Sequence, residues 1–314
     1  MLTTKRKVPF LGQALLTLAT VIWGTSFIIF KDTLDSLPVL FVLAIRFLLS
    51  SLCLFAVFFK RIIKMSKKTL TVGLILGTIL ASAYIFQTYG LTNVTPGENA
   101  FLTSTYTVLV PFICWIFFRR KPDVFSFIAG FTCLIGIAFV AFYDGVNFTV
   151  GIGQILTLIG AIFYALQIIV ISVKGEGADS IAMLFVQLLV VGVVSLGGTL
   201  IFESSNYNLT FNTPTVLKLL YLALVCTLVA QGLQIIGQRL VPASQASIIL
   251  SFESVFGLIF SIIGGVERLT PVSIIGFTLI FISVIISETK LKFLFKKSKN
   301  KTDNTVLEGD FNND

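Results

Sequence analysis

Residues 12–26, GQALLTLATVIWGTS, and residues 153–167, GQILTLIGAIFYALQ, share a Gly-Gln head, an apolar body and an aromatic residue at the same place, Trp23 in one and Tyr164 in the other. The offset of 141 residues also sets Arg46 opposite Gln187. Farther along, an offset of 146 pairs Pro96 with Pro242, Ala100 with Ala246, and Gly130-Phe131-Thr132 with Gly276-Phe277-Thr278. Apolar segments match one another cheaply, so the weight lies in the matches keeping one common order. The chain reads as one unit written twice.

That unit belongs in a bilayer. Hydrophobic residues make up 56% of 314 positions against 12% charged, and the mean hydropathy of +0.98 excludes a water-soluble domain. Ten apolar runs are each about long enough to span: 10–30, 38–59, 69–91, 99–118, 124–143, 150–173, 180–202, 219–237, 243–265 and 270–288. The first run has no small-residue cleavage site and reads as a helix rather than a signal peptide. Connections are short, so consecutive helices are expected to be antiparallel neighbours. Five runs per half, an odd number, turn the second half upside down relative to the first. The expected fold is therefore all-α and integral to the membrane, with ten transmembrane helices as two inverted five-helix repeats. Residues 1–9 form the N-terminal segment, 10–143 the first repeat, 150–288 the second, and 289–314 a polar tail expected to be disordered.

The net charge of +8 sits in short clusters between apolar runs, which argues against nucleic acid. One side of the bundle collects Lys5, Arg6, Lys7, Lys60, Arg61, Lys64, Lys67, Lys68, Arg119, Arg120, Lys121, Lys174 and Arg239, and the other only Lys31, Lys218 and Arg268. The positive-inside rule then places both termini in the cytoplasm of a multi-pass protein of the cell (plasma or inner) membrane. Cys53, Cys114, Cys133 and Cys226 have no CxxC spacing, and the chain has no histidine. No metal site, no cofactor and no enzymatic activity are expected.

The motifs resemble the drug/metabolite transporter superfamily, and specifically two EamA modules in tandem. In the first module the resemblance is carried by Trp23-Gly24-Thr25-Ser26-Phe27, Ile45-Arg46-Phe47, and Gly90-Leu91-Thr92 leading to Pro96-Gly97-Glu98-Asn99-Ala100. In the second it is carried by Gln238-Arg239-Leu240-Val241, Leu250-Ser251-Phe252-Glu253-Ser254-Val255-Phe256 and Gly265-Val266-Glu267-Arg268-Leu269-Thr270-Pro271. Ser254 departs from the proline usual after the glutamate, and Tyr164 from a tryptophan. The resemblance implies metabolite export, frequently of amino acids.

Polar groups inside apolar runs are the site candidates, because each costs free energy in a bilayer unless it is paired, hydrated or used. Arg46 and Glu253 both approach the midplane, and Glu253 is the one acid well inside a span. They are candidates for an ion pair, or for separate duties: Arg46 toward substrate, and Glu253 in coupling if protons drive transport. Trp23, Tyr106 and Tyr164 combine an apolar body with a polar tip. Ser26, Asn99, Gln167 and Gln234, with Gln87, Gln187, Gln231, Gln245 and Thr107, offer hydrogen bonds, some to substrate and some only as interhelical glue. The expected binding set is Trp23, Ser26, Arg46, Asn99, Tyr106, Tyr164, Gln167 and Gln234. Gly73 and Gly77 read as a packing face, and Pro111 as a kink in the fourth run.

No GxxxxGK[ST] loop is present for ATP-driven pumping, and no paired acids or metal-ligand spacing supports an intramembrane enzyme. A passive channel or facilitator is the main rival to a secondary active transporter. Pyrophosphate-bearing substrates need several cations, whereas the spans offer Arg46 alone. The expected partners are the bilayer and a small amphipathic or zwitterionic solute, with proton coupling and a homodimer left open.

Overall fold

The computed structural model describes residues 9–119, 123–141, 151–203, 212–241 and 243–289. The N-terminal segment, the tail, Pro242, Arg120 and Lys121 lie outside these residues, as does the side chain of Gln245.

The described residues are helical throughout: α1 (Pro9–Leu34), α2 (Val39–Ile62), α3 (Lys67–Leu91), α4 (Pro96–Ser104), α5 (Tyr106–Phe118), α6 (Val124–Ala141), α7 (Ile152–Lys174), α8 (Ser180–Phe202), α9 (Thr213–Leu220), a π-helical stretch (Tyr221–Val229), α10 (Ala230–Leu240), α11 (Ala243–Ile263) and α12 (Pro271–Thr289). Six stretches are long and apolar enough to cross a membrane: Phe10–Leu34, Val39–Ile62, Lys67–Leu91, Ile152–Ile171, Ser180–Phe202 and Thr213–Leu240. Val124–Gly136, Ile249–Ile263 and Ile274–Ile286 are shorter apolar helices.

Helix starts follow local chemistry. Ser66, Thr95, Asp179 and Asn212 each accept a backbone N–H of the first turn, and Pro96 begins α4 where a missing N–H costs little. Two details differ from the sequence expectation. The helix is continuous through Pro111, and the interruption falls six residues earlier at Thr105, where N–H bonds shorten to the i−3 carbonyl. The first helix also runs on to Leu34, which brings Lys31 within reach of the end of α3. Its ammonium donates to the carbonyls of Leu91 (2.7 Å), Thr92 (2.8 Å) and Val94 (3.2 Å), capping the negative end of that helix.

The packing joins the two halves of the sequence. Helix α2 packs on α8 and α6 on α12, each against its own counterpart. Helix α1 packs on α11 and α10, while α7 packs on α4–α5 and α3. Exchanging residues 10–143 for 150–288 in this pattern returns the same pattern. Two close crossings obey it in detail. A methyl added to Gly12 of α1 would lie 3.3 Å from the carbonyl oxygen of Gly237 in α10, and one added to Gly153 of α7 would lie 3.1 Å from that of Gly90 in α3. Gly73 and Gly77 seat α3 on α8, since added methyls would meet Val186 Cβ at 2.7 Å and Val190 Cβ at 2.6 Å.

Candidate substrate-binding site

One cavity lies at the middle of this packing, walled by α1, α2, α3, α4–α5, α7, α10 and α11. The space open to the centre of a water-sized sphere is about 50 Å³, room for a few waters and not for a drug-sized body without widening. All eight expected binding residues, Trp23, Ser26, Arg46, Asn99, Tyr106, Tyr164, Gln167 and Gln234, line it, as does Glu253. Phe27, Phe30, Tyr84, Gln87, Thr88, Thr103 and Gln231 complete much of the wall. Gln187 and Thr107 are buried but are not part of it.

Arg46 is 1% exposed. Its Nε donates to Thr227 Oγ1 and its Nη2 to the Cys226 carbonyl at 3.4 Å. The guanidinium carbon lies 5.1 Å from the ring centres of Phe30 and Tyr84 and 5.6 Å from Phe47, an aromatic box that replaces part of its lost hydration. Among the described residues Arg46 has no carboxylate partner, so the ion pair with Glu253 does not form. Its Nη1 is buried with no hydrogen-bond partner among the described residues.

The π-helical stretch makes this arrangement. Thr227 Oγ1 donates to the carbonyl of Leu222, five residues back, at 2.8 Å. Looser winding frees acceptors for other helices: Cys226 O takes Trp23 Nε1–H at 3.0 Å as well as Arg46, and Ala223 O takes Ser50 Oγ–H at 2.7 Å. Sequence reasoning carried no signal for this stretch, whose composition is that of any apolar helix.

The rest of the wall is an amide and tyrosine network. Gln87 donates to Thr103 Oγ1 (2.9 Å) and accepts from Tyr164 Oη (2.7 Å), while Gln231 donates to Tyr84 Oη (3.2 Å). Asn99 donates to Thr157 Oγ1 (2.8 Å) and the Gln87 carbonyl (3.2 Å). The Tyr106 hydroxyl is hydrogen bonded to Glu253. Several groups keep one hand free: Asn99 Oδ1, Gln167 Nε2, Gln231 Oε1, Gln234 Oε1 and Thr88 Oγ1 are buried without partners among the described residues. A cavity lined by an unpaired cation, a carboxylate and spare amide atoms is equipped to hydrogen-bond a solute of mixed polarity.

The sequence pattern of the EamA-like transporter family matches this chain twice, at residues 10–142 and 151–289. The protein is a member of the EamA-like transporter family. An uncharacterised transporter of Archaeoglobus fulgidus is 34% identical over 90% of this chain and 86% of its own length. The uncharacterised transporter YvbV of Bacillus subtilis is 27% identical over 88% and 92%, respectively. A solved crystal structure superimposes with a TM-score of 0.67 over 90% of this chain and 98% of its own, at 13% identity, a likeness of fold. This EamA protein is thus a multi-pass membrane transporter, and the cavity is read in that light.

Proposed function

We propose that this protein is a secondary active exporter of a small amphipathic or zwitterionic metabolite, such as an amino acid or a drug-like molecule of that size, working by alternating access. The observation that carries the reading is Arg46 Nη1, a buried cationic donor without a partner among the described residues, in the same cavity as the Glu253 carboxyl, which is hydrogen bonded to Tyr106. A buried charge left partly unsatisfied costs several kcal/mol in other settings and is retained where a ligand completes it. Arg46 suits a carboxylate, Glu253 and the free amide oxygens suit an ammonium, and Trp23, Tyr84 and Tyr164 suit the apolar body between them. Glu253 also serves as the proton carrier in this reading, its protonation and substrate binding excluding one another.

Ten spans follow if α4–α5, α6, α11 and α12 cross the bilayer beside the six longer stretches. The packing pattern that survives exchange of the halves supports two repeats, and five spans in each makes them inverted. The basic turns then face the cytoplasm of the cell membrane, with both termini on that side. The test is flux in reconstituted vesicles with a panel of amino acids and their neutral amides. Arg46→Gln is expected to lower affinity for the carboxylate-bearing solutes at least about tenfold, the scale of a hydrogen bond to a charged group, and to leave the amides nearly unchanged. Equal flux of both classes by the variant would remove Arg46 from substrate. Movement of every solute only down its own gradient, whatever the imposed proton gradient, would make the protein a passive facilitator.

A further inference from the structure

Five side chains off the cavity, those of Thr107, Gln187, Ser195, Gln238 and Ser261, carry buried polar atoms with the same defect as those on it, and three of them extend the cavity wall toward the basic end. Thr107 Oγ1, both amide atoms of Gln187, and Gln238 Oε1 have no hydrogen-bond partner among the described residues. Thr107 and Gln187 are 0% exposed, so water does not reach them here. Each such atom is destabilising while the packing stays as it is. Apolar groups of the same shape can fill such places nearly without loss, so these atoms point to a second arrangement in which they are solvated.

We infer that Thr107, Gln187 and Gln238 line the second half of the substrate path, running from the cavity to the end of the bundle that bears the basic turns, closed in this structure and open in the alternate one. The inference rests on the transporter reading above. Position carries it. On α10, Gln231 and Gln234 line the cavity, and Gln238 follows at the i+7 and i+4 places, one further turn along the same face. On the broken α4–α5 segment, Asn99 and Thr103 line the cavity, and Thr107 follows Thr103 at i+4. Pro111 has no N–H to give the Thr107 carbonyl, so that residue offers two acceptors at one level. On α8, Gln187 lies one turn from Leu184, whose side chain faces Gly232 of α10 at 3.8 Å from an added methyl.

The three residues also descend in order. Thr107 is eleven residues from the start of α4, roughly 16 Å along the segment and near its middle. Gln187 is seven residues, about 10 Å, from the basic end of α8. Gln238 is two residues, about 3 Å, from the basic end of α10. Repeat symmetry agrees: Gln187 is the counterpart of Arg46 at the 141-residue offset, and Thr107 that of Glu253 at the 146-residue offset. The residues that face the present cavity in one half therefore have neutral, hydrogen-bonding equivalents on the closed side. A path of amides and hydroxyls passes a zwitterion without trapping either pole, whereas a second buried cation would hold it.

The experiment places single cysteines at Gln187, at Gln238 and at Leu188, an apolar neighbour of Gln187 that is also 0% exposed. Full-length variants in inside-out and right-side-out vesicles are treated with a membrane-impermeant maleimide, and modification is read site by site by mass spectrometry, so native cysteines do not interfere. A state populated even at a few per cent exposes its lining far more often than global unfolding does. Modification at positions 187 and 238 from the cytoplasmic side at least about tenfold faster than at position 188 is the expected result. Equal rates at 187 and 188, or labelling at 187 only from the outside, overturns the inference. Flux measured on the same vesicles separates the outcomes: transport with an unreactive position 187 refutes this path alone, and absent transport by the unlabelled wild type refutes the transporter reading.

Discussion

Trp23 and Tyr164 stand at equivalent places in the two halves yet are held differently, Trp23 by the π-helical carbonyl of Cys226 and Tyr164 by the amide of Gln87. Both rings line one cavity. Trp23→Ala and Tyr164→Ala are each expected to weaken substrate binding by at least about tenfold, on the scale of a lost aromatic anchor, whereas Phe131→Ala on the exposed face of α6 leaves it unchanged. Equal, small effects at all three positions in a binding titration would place the site elsewhere. Glu253→Gln keeps the hydrogen bond to Tyr106 and removes only the titrating proton. That variant should stay in the membrane and lose its response to an imposed pH gradient, and a normal pH-driven flux would leave Glu253 a packing role. These residues were legible in the sequence because a polar side chain within an apolar run is expensive, and expense points to use. Their partners were not. Arg46 invites pairing with the one deep acid, but its Nε and Nη2 go to Thr227 and to a carbonyl freed by local unwinding while Nη1 has no partner among the described residues, which only the assembled helices decide.

Helix α3 meets α8 so closely that side-chain volume at two positions sets the distance between them. Gly77→Leu forces its side chain against Val190 and is expected to cost about 1–3 kcal/mol, read as a lower unfolding temperature in detergent, while Thr78→Leu on the exposed flank is tolerated. That contact was visible as small residues at four-residue spacing. The interruption at Thr105 and the π-helical stretch were not, because hydrogen-bond register shifts where neighbouring helices supply donors, and spacing of apolar residues does not record those donors. The turn between α11 and α12 adds a titration. Burial holds the Glu267 carboxyl above the usual carboxylate range, against opposing hydrogen bonds from Thr95, the Gly97 N–H at 3.0 Å and Ser261. The folded state therefore keeps this proton to higher pH than the unfolded chain. Stability from this site is full below the ordinary glutamate value of about 4.3 and is lost as pH rises through the folded value. Glu267→Gln should flatten that part of the curve of unfolding temperature against pH, and an unchanged slope would assign it to another group.

At the scale of the whole molecule, the proposed arrangement of basic turns puts Lys67 and Asn93, at opposite ends of α3, on opposite sides of the membrane. Topology reporters fused at the two positions should give opposite signals, with Lys67 cytoplasmic, and the same signal from both would break either the span count or the orientation. The duplication was legible from one ordered set of matches, whereas the helix partners were not, since two repeated helical units can interlock in several ways. The glycine crossings fix which way they do. Gly12 meets Gly237 near the basic end of α1 and α10, and Gly90 meets Gly153 near the opposite end of α3 and α7. Each joins a helix of one half to a helix of the other, with Leu240 and Val241 packed close to Gly12 and Asn93 and Val94 close to Gly153. In mechanical language, and under the proposed alternating access, these are the two pins about which the rest would swing. A short covalent tether across either pin should leave vesicle flux running, and loss of flux would show that the crossing itself must open. The least adorned residues in the chain would then be the bearings of the machine.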